Sequence, residues 1–367
     1  MPETDVIASP MLSYFESLNY NSDVINGIKA IRNYGNTSDE LNSLYSGVGI
    51  RDISASGIIE LRGADVLDYL HRITTNSLKE LQKEKITRTI FTTEKGRIID
   101  TGTILNFDDH QLLVCSAEYK VMVKRWIDKY VISDDVKVTD TAGKYVLLEL
   151  WGKQANSFMM FICGNVVNNI GENSFKVINA ENMLFFLARI TERNGAEKFW
   201  IVADPENGLK LVQYMMENHG PYDFNLVGED AYNIYRVEQG LPSVPYELND
   251  SVNPHEVKML DLIDFKKGCY IGQEVIARLD TYEKVKGYML GVKFSEKVEN
   301  NGGFQLFNED GNEAGRVTSL AYSEKLKKNI GLAFIKKADA VEGKHLNALV
   351  SDGKSVPVTV SNLPFRK

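Results

Sequence analysis

The sequence predicts an α+β protein that ends in a small antiparallel β-barrel. Residues 49–138 alternate β-rich runs and amphipathic helices around hairpin-like turns, which reads as an α+β unit with a largely antiparallel sheet. Residues 144–241 repeat that mixture, and from about 285 onward only short strands at regular spacing remain.

Residues up to about Ser46 read as helical pieces broken by Asn and Gly. Residues 57–62 (GIIELR) are strand-like and Gly63-Ala64 punctuates them. Asp65 is then placed to cap a helix through Val66, Leu67, Tyr69 and Leu70, whose apolar spacing is helical. Residues 88–93 and 98–105 form a hairpin about the turn Glu94-Lys95-Gly96-Arg97, and 111–115 is a further strand. An amphipathic helix follows over 119–130. Strands are expected at 145–151, 183–190 and 199–202, with helices at 206–217 and 229–238, the latter closed by Gly240 with Pro242 beyond. The barrel strands are expected at 288–294, 304–307, 315–318, 331–335, 347–350 and 356–360.

The chain of 367 residues is long enough for two or three domains. A formal charge of -8 argues against nucleic acid or an anionic membrane as the main partner, while leaving room for a local basic pocket. No run approaches the roughly 18–20 apolar residues of a membrane span. Three unevenly spaced cysteines (Cys115, Cys163, Cys269) form no disulfide framework and fit a reducing compartment. The N-terminus MPETDVIASP is acidic and polar, unlike a targeting peptide, so a cytoplasmic location is expected. The five histidines are scattered without ligand-like pairing, and there is no P-loop, dinucleotide fingerprint or HExxH motif; no metal site is expected.

The most unusual segment is 266–278, KKGCYIGQEVIAR. Gly268 and Gly272 flank Cys269-Tyr270-Ile271, which implies a tight turn or close backbone approach beside the thiol. The run from Gln273 to Arg278 reads as a short helix with Glu274 and Arg278 at i,i+4 on one face. From the chemistry alone the cysteine is equally a reactive thiol or a buried structural one.

Several segments together resemble the folate-binding superfamily of the glycine-cleavage T-protein (aminomethyltransferase) and the YgfZ-type proteins. Val48-Gly49-Ile50-Arg51-Asp52-Ile53-Ser54 is similar to the family's GLFDVS entry, and 91–100 (FTTEKGRIID) to its NxxGGILDD hairpin. Gly315-Arg316-Val317-Thr318-Ser319 with Leu332-Ala333-Phe334 looks like the family's terminal barrel. KGCYIGQE, with Arg236-Val237-Glu238-Gln239-Gly240-Leu241-Pro242 upstream, is similar to the YgfZ-branch motif KGCYxGQExxxR. It singles out Lys267, Gly268, Cys269, Tyr270, Gly272, Gln273, Glu274 and Arg278. The resemblance implies a three-lobed T-protein-like fold. Its folate-binding region spans 1–280 (two α+β lobes, about 49–138 and 1–48 plus 139–280), and the barrel domain spans 281–367.

The family's catalytic aspartate falls on Asp100, with Thr101 in place of a second aspartate and Ser116 in place of an asparagine. Tyr232 stands where the family's GARD arginine would be, Arg236 matches the arginine that follows, and 193–197 only loosely matches a carboxylate-bearing turn. The implied cofactor is tetrahydrofolate or a derivative. Asp100 would move protons at nitrogen, unless it is a strand-end aspartate bonded to backbone. Tyr232, Tyr235, Phe199 and Trp200 would wall an apolar slot, unless they pack the core, and Arg236 or Arg278 would meet an anionic tail.

The YgfZ branch implies a folate-dependent accessory role for iron–sulfur enzymes, and the T-protein branch implies carbon transfer from a lipoyl carrier protein. A folate-dependent demethylase on the same scaffold is a third reading. A lone thiol cannot hold an iron–sulfur cluster, which takes about four cysteine ligands, so any link to such clusters is indirect.

Overall fold

A computed structural model describes residues 6–192, 195–282, 285–298, 303–350 and 353–366. The chain forms two compact units, Met1–Phe91 with Asp100–Tyr232, and Thr92–Ile99 with Asn233–Lys367.

The first unit is built on two large sheets. One has six strands in the order Ser174–Ala180, Met183–Thr191, Glu197–Ala203, Val146–Trp151, Val48–Asp52 and Phe224–Leu226, all antiparallel except the last pair. The other has five, in the order Ile86–Thr92, Ile98–Asn106, Gln111–Cys115, Gly57–Arg62 and Lys137–Asp140. Leu105, Leu112 and Val114 of the five-stranded sheet share a core with Leu147, Ala188, Ile190 and Val202 of the six-stranded one. The opposite face of the six-stranded sheet is covered by helices Leu12–Ser17, Ala155–Cys163 and Pro205–Glu217 through Phe15, Phe158, Met159 and Leu211. Strand alternation sorts these two faces, since successive side chains point to opposite sides.

The N-terminal stretch is not wholly helical. Ser22–Ile25 and Ile28–Ile31 pair as a hairpin, and Ile7–Ala8 adds a third strand. Asn26 and Gly27 both have positive φ, the arrangement of a two-residue turn whose twist matches the strands. Glu181 and Asn182, also at positive φ, turn the chain between Ser174–Ala180 and Met183–Thr191 in the same way. Asp65 stands at the head of helix Val66–Ile73 but does not cap it with its side chain. Its carboxylate instead accepts from the backbone N–H of Asp135, while the Asp135 carboxylate accepts from Ala64 N–H.

In the second unit six strands close into an antiparallel barrel: Gly287–Phe294, Lys328–Lys336, Glu313–Ser323, Gln305–Phe307, His345–Leu349 and Ser355–Ser361. Val292, Phe294, Leu306, Leu332, Leu346 and Val358 fill it. Among the described residues, closure pairs the first barrel strand with the last, so the sheet has no free edge strand. The α+β class and the terminal barrel stand as the sequence predicts. Among the described residues no helix is long and apolar enough to cross a membrane.

Candidate functional sites

Asp100 lies on strand Ile98–Asn106 with no solvent exposure. Its Oδ1 accepts from Thr101 N–H (2.7 Å) and from the Ser116 hydroxyl (2.8 Å), and its Oδ2 accepts from Ser116 N–H (2.9 Å). Burial pushes its pKa up to about 6, against these hydrogen bonds; the nearby Glu118 adds to the rise. The backbone-bonded aspartate and the titratable one are therefore the same residue. Oδ1 holds two donors and Oδ2 one, so Oδ2 retains acceptor capacity.

A second polar group in this unit was not visible in the sequence. Strand register sets Glu149 directly opposite both Arg51 and Trp200, and Lys198 lies two residues from Trp200 on the same face. Glu149 accepts from Lys198 Nζ (2.7 Å), Trp200 Nε1 (3.0 Å) and Arg51 Nη1 (3.3 Å). Lys198 also pairs with Glu192, which pairs with Arg88, and Arg51 reaches Glu229 at 3.0 Å. Three cations thus meet three carboxylates. Burial would raise the Glu149 pKa, but Lys198 and Arg51 outweigh it and hold the carboxyl down at about 2. Burial would likewise discharge Lys198, and Glu149 with Glu192 keeps it charged. A lone Glu in the apolar run LLELW and a Lys opening KFWIV were the only sequence signals.

Tyr232, at the start of helix Glu229–Gln239, lies under the Arg51 guanidinium, 3.2 Å from ring centroid to Cζ. Arg51 Nε is buried without a hydrogen-bond partner. Phe199 and Trp200, expected as possible slot walls, are core residues on opposite faces of the six-stranded sheet. Of segment 193–197, Arg193 and Asn194 lie outside the described residues, as do the first five residues of the chain.

In the second unit the segment carrying Cys269 is built onto the hairpin tip 92–97. Thr92 Oγ1 donates to the Ile271 carbonyl (2.7 Å). Gly272 has φ +85°, and a Cβ there would sit 2.5 Å from the Thr93 carbonyl oxygen and 3.2 Å from Gly96 Cα. Gly96 in turn lies against Val275 and Ile276 of helix Gln273–Tyr282. Only glycine meets both demands at 272. Gly272→Ala is therefore expected to cost about 1–3 kcal/mol, read by urea denaturation. A change below about 0.5 kcal/mol would mean the loop yields freely.

The loop turns Lys267 and Tyr270 inward and leaves Gly268 and Cys269 exposed. Burial lowers the Lys267 pKa to about 7, although Asp264 works the other way, and its Nζ lies 5.0 Å from the centre of the Tyr270 ring. Lys267 is thus only partly charged near neutrality. Gln273 is half-buried, and Glu274 and Arg278 are exposed, with no ion pair between them among the described residues. Cys115 is buried and Cys163 half-buried, and burial pushes the thiol pKa well up at the first and to about 12 at the second. Iodoacetamide near pH 8, followed by mass spectrometry, is expected to label Cys269 first and Cys115 last. Faster labelling of Cys115 or Cys163 than of Cys269 would contradict the placement.

Arg236 and Tyr235 are also buried. The Arg236 guanidinium bonds Ser319 Oγ (2.8 Å), Asn233 Oδ1 (3.0 Å) and Glu247 Oε2 (3.3 Å). Glu247, fully buried, also accepts from Ser319 Oγ (2.7 Å) and Thr318 Oγ1 (2.5 Å). Of the two arginines offered for an anionic tail, Arg236 is committed to this network and Arg278 is the exposed one.

The chain matches the GCVT N-terminal domain over residues 15–267 and the glycine cleavage T-protein C-terminal barrel domain over residues 289–367. It is 25% identical over 338 residues to an aminomethyltransferase of Desulfitobacterium hafniense, covering 91% of each chain. It is 27% identical over 341 residues to a chloroplastic protein of Arabidopsis thaliana named as a transferase, covering 91% of this chain and 75% of that one. The crystal structure of the glycine cleavage system aminomethyltransferase T from Bartonella henselae shares the fold, with a TM-score of 0.86 at 18% identity and 98% of both chains covered. With both domain patterns matched in order across most of its length, and the two-sheet unit and closed barrel in place, the chain belongs to the glycine cleavage T-protein family.

Proposed function

We propose that the protein binds tetrahydrofolate and supports iron–sulfur enzymes in the manner of the YgfZ branch. The observation that carries this reading is the construction of the KGCYIGQE loop. It presents Cys269 to solvent while Gly272, Thr92 and the buried Lys267 and Tyr270 hold its frame. Such a thiol is available to a partner protein or a small electrophile. Lys267, Gln273, Glu274 and Arg278 are assigned to the surroundings of that thiol.

The first unit holds side chains whose chemistry suits a pterin. The orphaned Arg51 Nε and the Tyr232 ring would supply a donor and a flat apolar surface, and Asp100 would supply an acceptor. Tetrahydrofolate supplies a nitrogen that accepts a one-carbon unit. Asp100, near its midpoint close to neutral pH, would hold or release the proton at that nitrogen.

A second reading is aminomethyl transfer from a lipoyl carrier to tetrahydrofolate, which the name of the Desulfitobacterium relative and the buried Asp100 favour. Two assays separate the readings. In a strain lacking the gene, iron–sulfur enzyme activities should fall, return with the wild-type gene, and fail to return with Cys269→Ala, while glycine cleavage persists. Robust methylenetetrahydrofolate formation from an aminomethyl-loaded lipoyl carrier, with no iron–sulfur phenotype, would transfer the assignment to the second reading.

A further inference from the structure

We propose that Ser116 is a positioning residue that holds the Asp100 carboxylate ionised and aimed, by clamping both of its oxygens from a single residue. The inference rests on the one-carbon reading of Asp100 only for its functional meaning; its structural content stands alone.

The antiparallel register pairs Thr103 with Val114 and Ile104 with Leu113. Continued by two residues, it brings Thr101 opposite Ser116, immediately after strand Gln111–Cys115 ends. At that point the Ser116 N–H turns to Asp100 Oδ2 (2.9 Å) while its hydroxyl turns to Oδ1 (2.8 Å). Ser116 therefore supplies two of the three donors given to Asp100, and Thr101 N–H supplies the third. The backbone donors survive any substitution at 116 that keeps the fold. The hydroxyl is the one contact that the side chain controls.

The surroundings oppose ionisation. Asp100 has no exposed surface, and the charged group acting on it is Glu118, which repels a second negative charge. The buried Cys115 thiol lies within reach of the same field and is pushed up partly by Asp100. Lys120 acts on Cys115 in the opposite sense and Asp140 in the same sense. Among the described residues the charged group that acts on Asp100 is the anionic Glu118, so neutral donors carry the task of keeping it charged. A hydrogen bond to the ionised form favours that form. Losing one such bond from a buried carboxylate moves its midpoint up by about one pH unit.

The test is an infrared difference titration of the full chain, with the Asp100 carboxyl band identified by subtraction of Asp100→Asn. Ser116→Ala is expected to move the Asp100 midpoint from about 6 to about 7. Ser116→Thr, which keeps the hydroxyl, is expected to hold it in place. An unmoved midpoint in Ser116→Ala, or an equal shift in Ser116→Thr, would overturn the proposal. If tetrahydrofolate-dependent turnover is measurable, its pH midpoint should follow the same displacement. Where no turnover exists, the titration still reports on Ser116, so the one-carbon reading and this inference fail separately. Thermal melts confirm that each variant is folded.

Discussion

Replacing Asp100 with asparagine is expected to lower tetrahydrofolate-dependent turnover by about 10²–10⁴-fold, the usual range for losing a positioned proton-transfer group. Tetrahydrofolate affinity, followed by titration calorimetry, should largely persist, because Arg51 and Tyr232 are untouched. In the wild type, turnover should rise with pH through about 6 as the carboxyl ionises. Stability should respond in the opposite sense. Burial raises the folded-state pKa above its ordinary 3.8, so the contribution of Asp100 is fully present below that value and is lost as pH rises through about 6. An activity profile flat across this window, or unchanged turnover in the variant, would remove Asp100 from the chemistry.

Arg236→Ala is expected to destabilise the protein by about 3–5 kcal/mol, the cost of leaving a buried carboxylate without its cation. Glu247 is fully buried and would keep only hydroxyl and backbone donors from Thr318, Ser319 and Ser243. Arg236→Lys should recover part of the loss, since one ammonium cannot reproduce three directed contacts to Glu247, Ser319 and Asn233. Urea denaturation measures both. If instead Arg236→Ala leaves stability unchanged and abolishes tetrahydrofolate affinity, Arg236 returns to the tail-binding role that its sequence position suggests.

Much of the scaffold could be read directly. The barrel strands, the hairpin around Gly96 and the helices near 120–130, 206–217 and 229–238 are local patterns, and the structure has elements at each. The N-terminal hairpin was missed although Asn26-Gly27 is a strong turn signal, because four-residue strands carry little periodicity against helical-looking neighbours. The site was less legible. Asp100 and the KGCYIGQE loop came from local motifs, whereas the Arg51–Glu149–Lys198 group depends on pairing among three strands far apart in sequence. Arg236 failed in the other direction. Its position resembled a ligand-binding arginine, but its partner Glu247 lies in an irregular segment whose path only the folded chain defines.

The contact between Gly272 and the hairpin tip bears on how the cysteine segment can be moved between proteins. The thiol loop is not a portable cassette. Grafting residues 266–278 alone into a relative would set a close-approach glycine against a host turn shaped for something else. A graft that carries residues 92–97 as well brings Thr92, the Thr93 carbonyl and Gly96, the surface that Gly272 was built to meet. The functional inheritance unit in this protein is therefore a pair of segments that the chain separates by more than 150 residues and the fold joins.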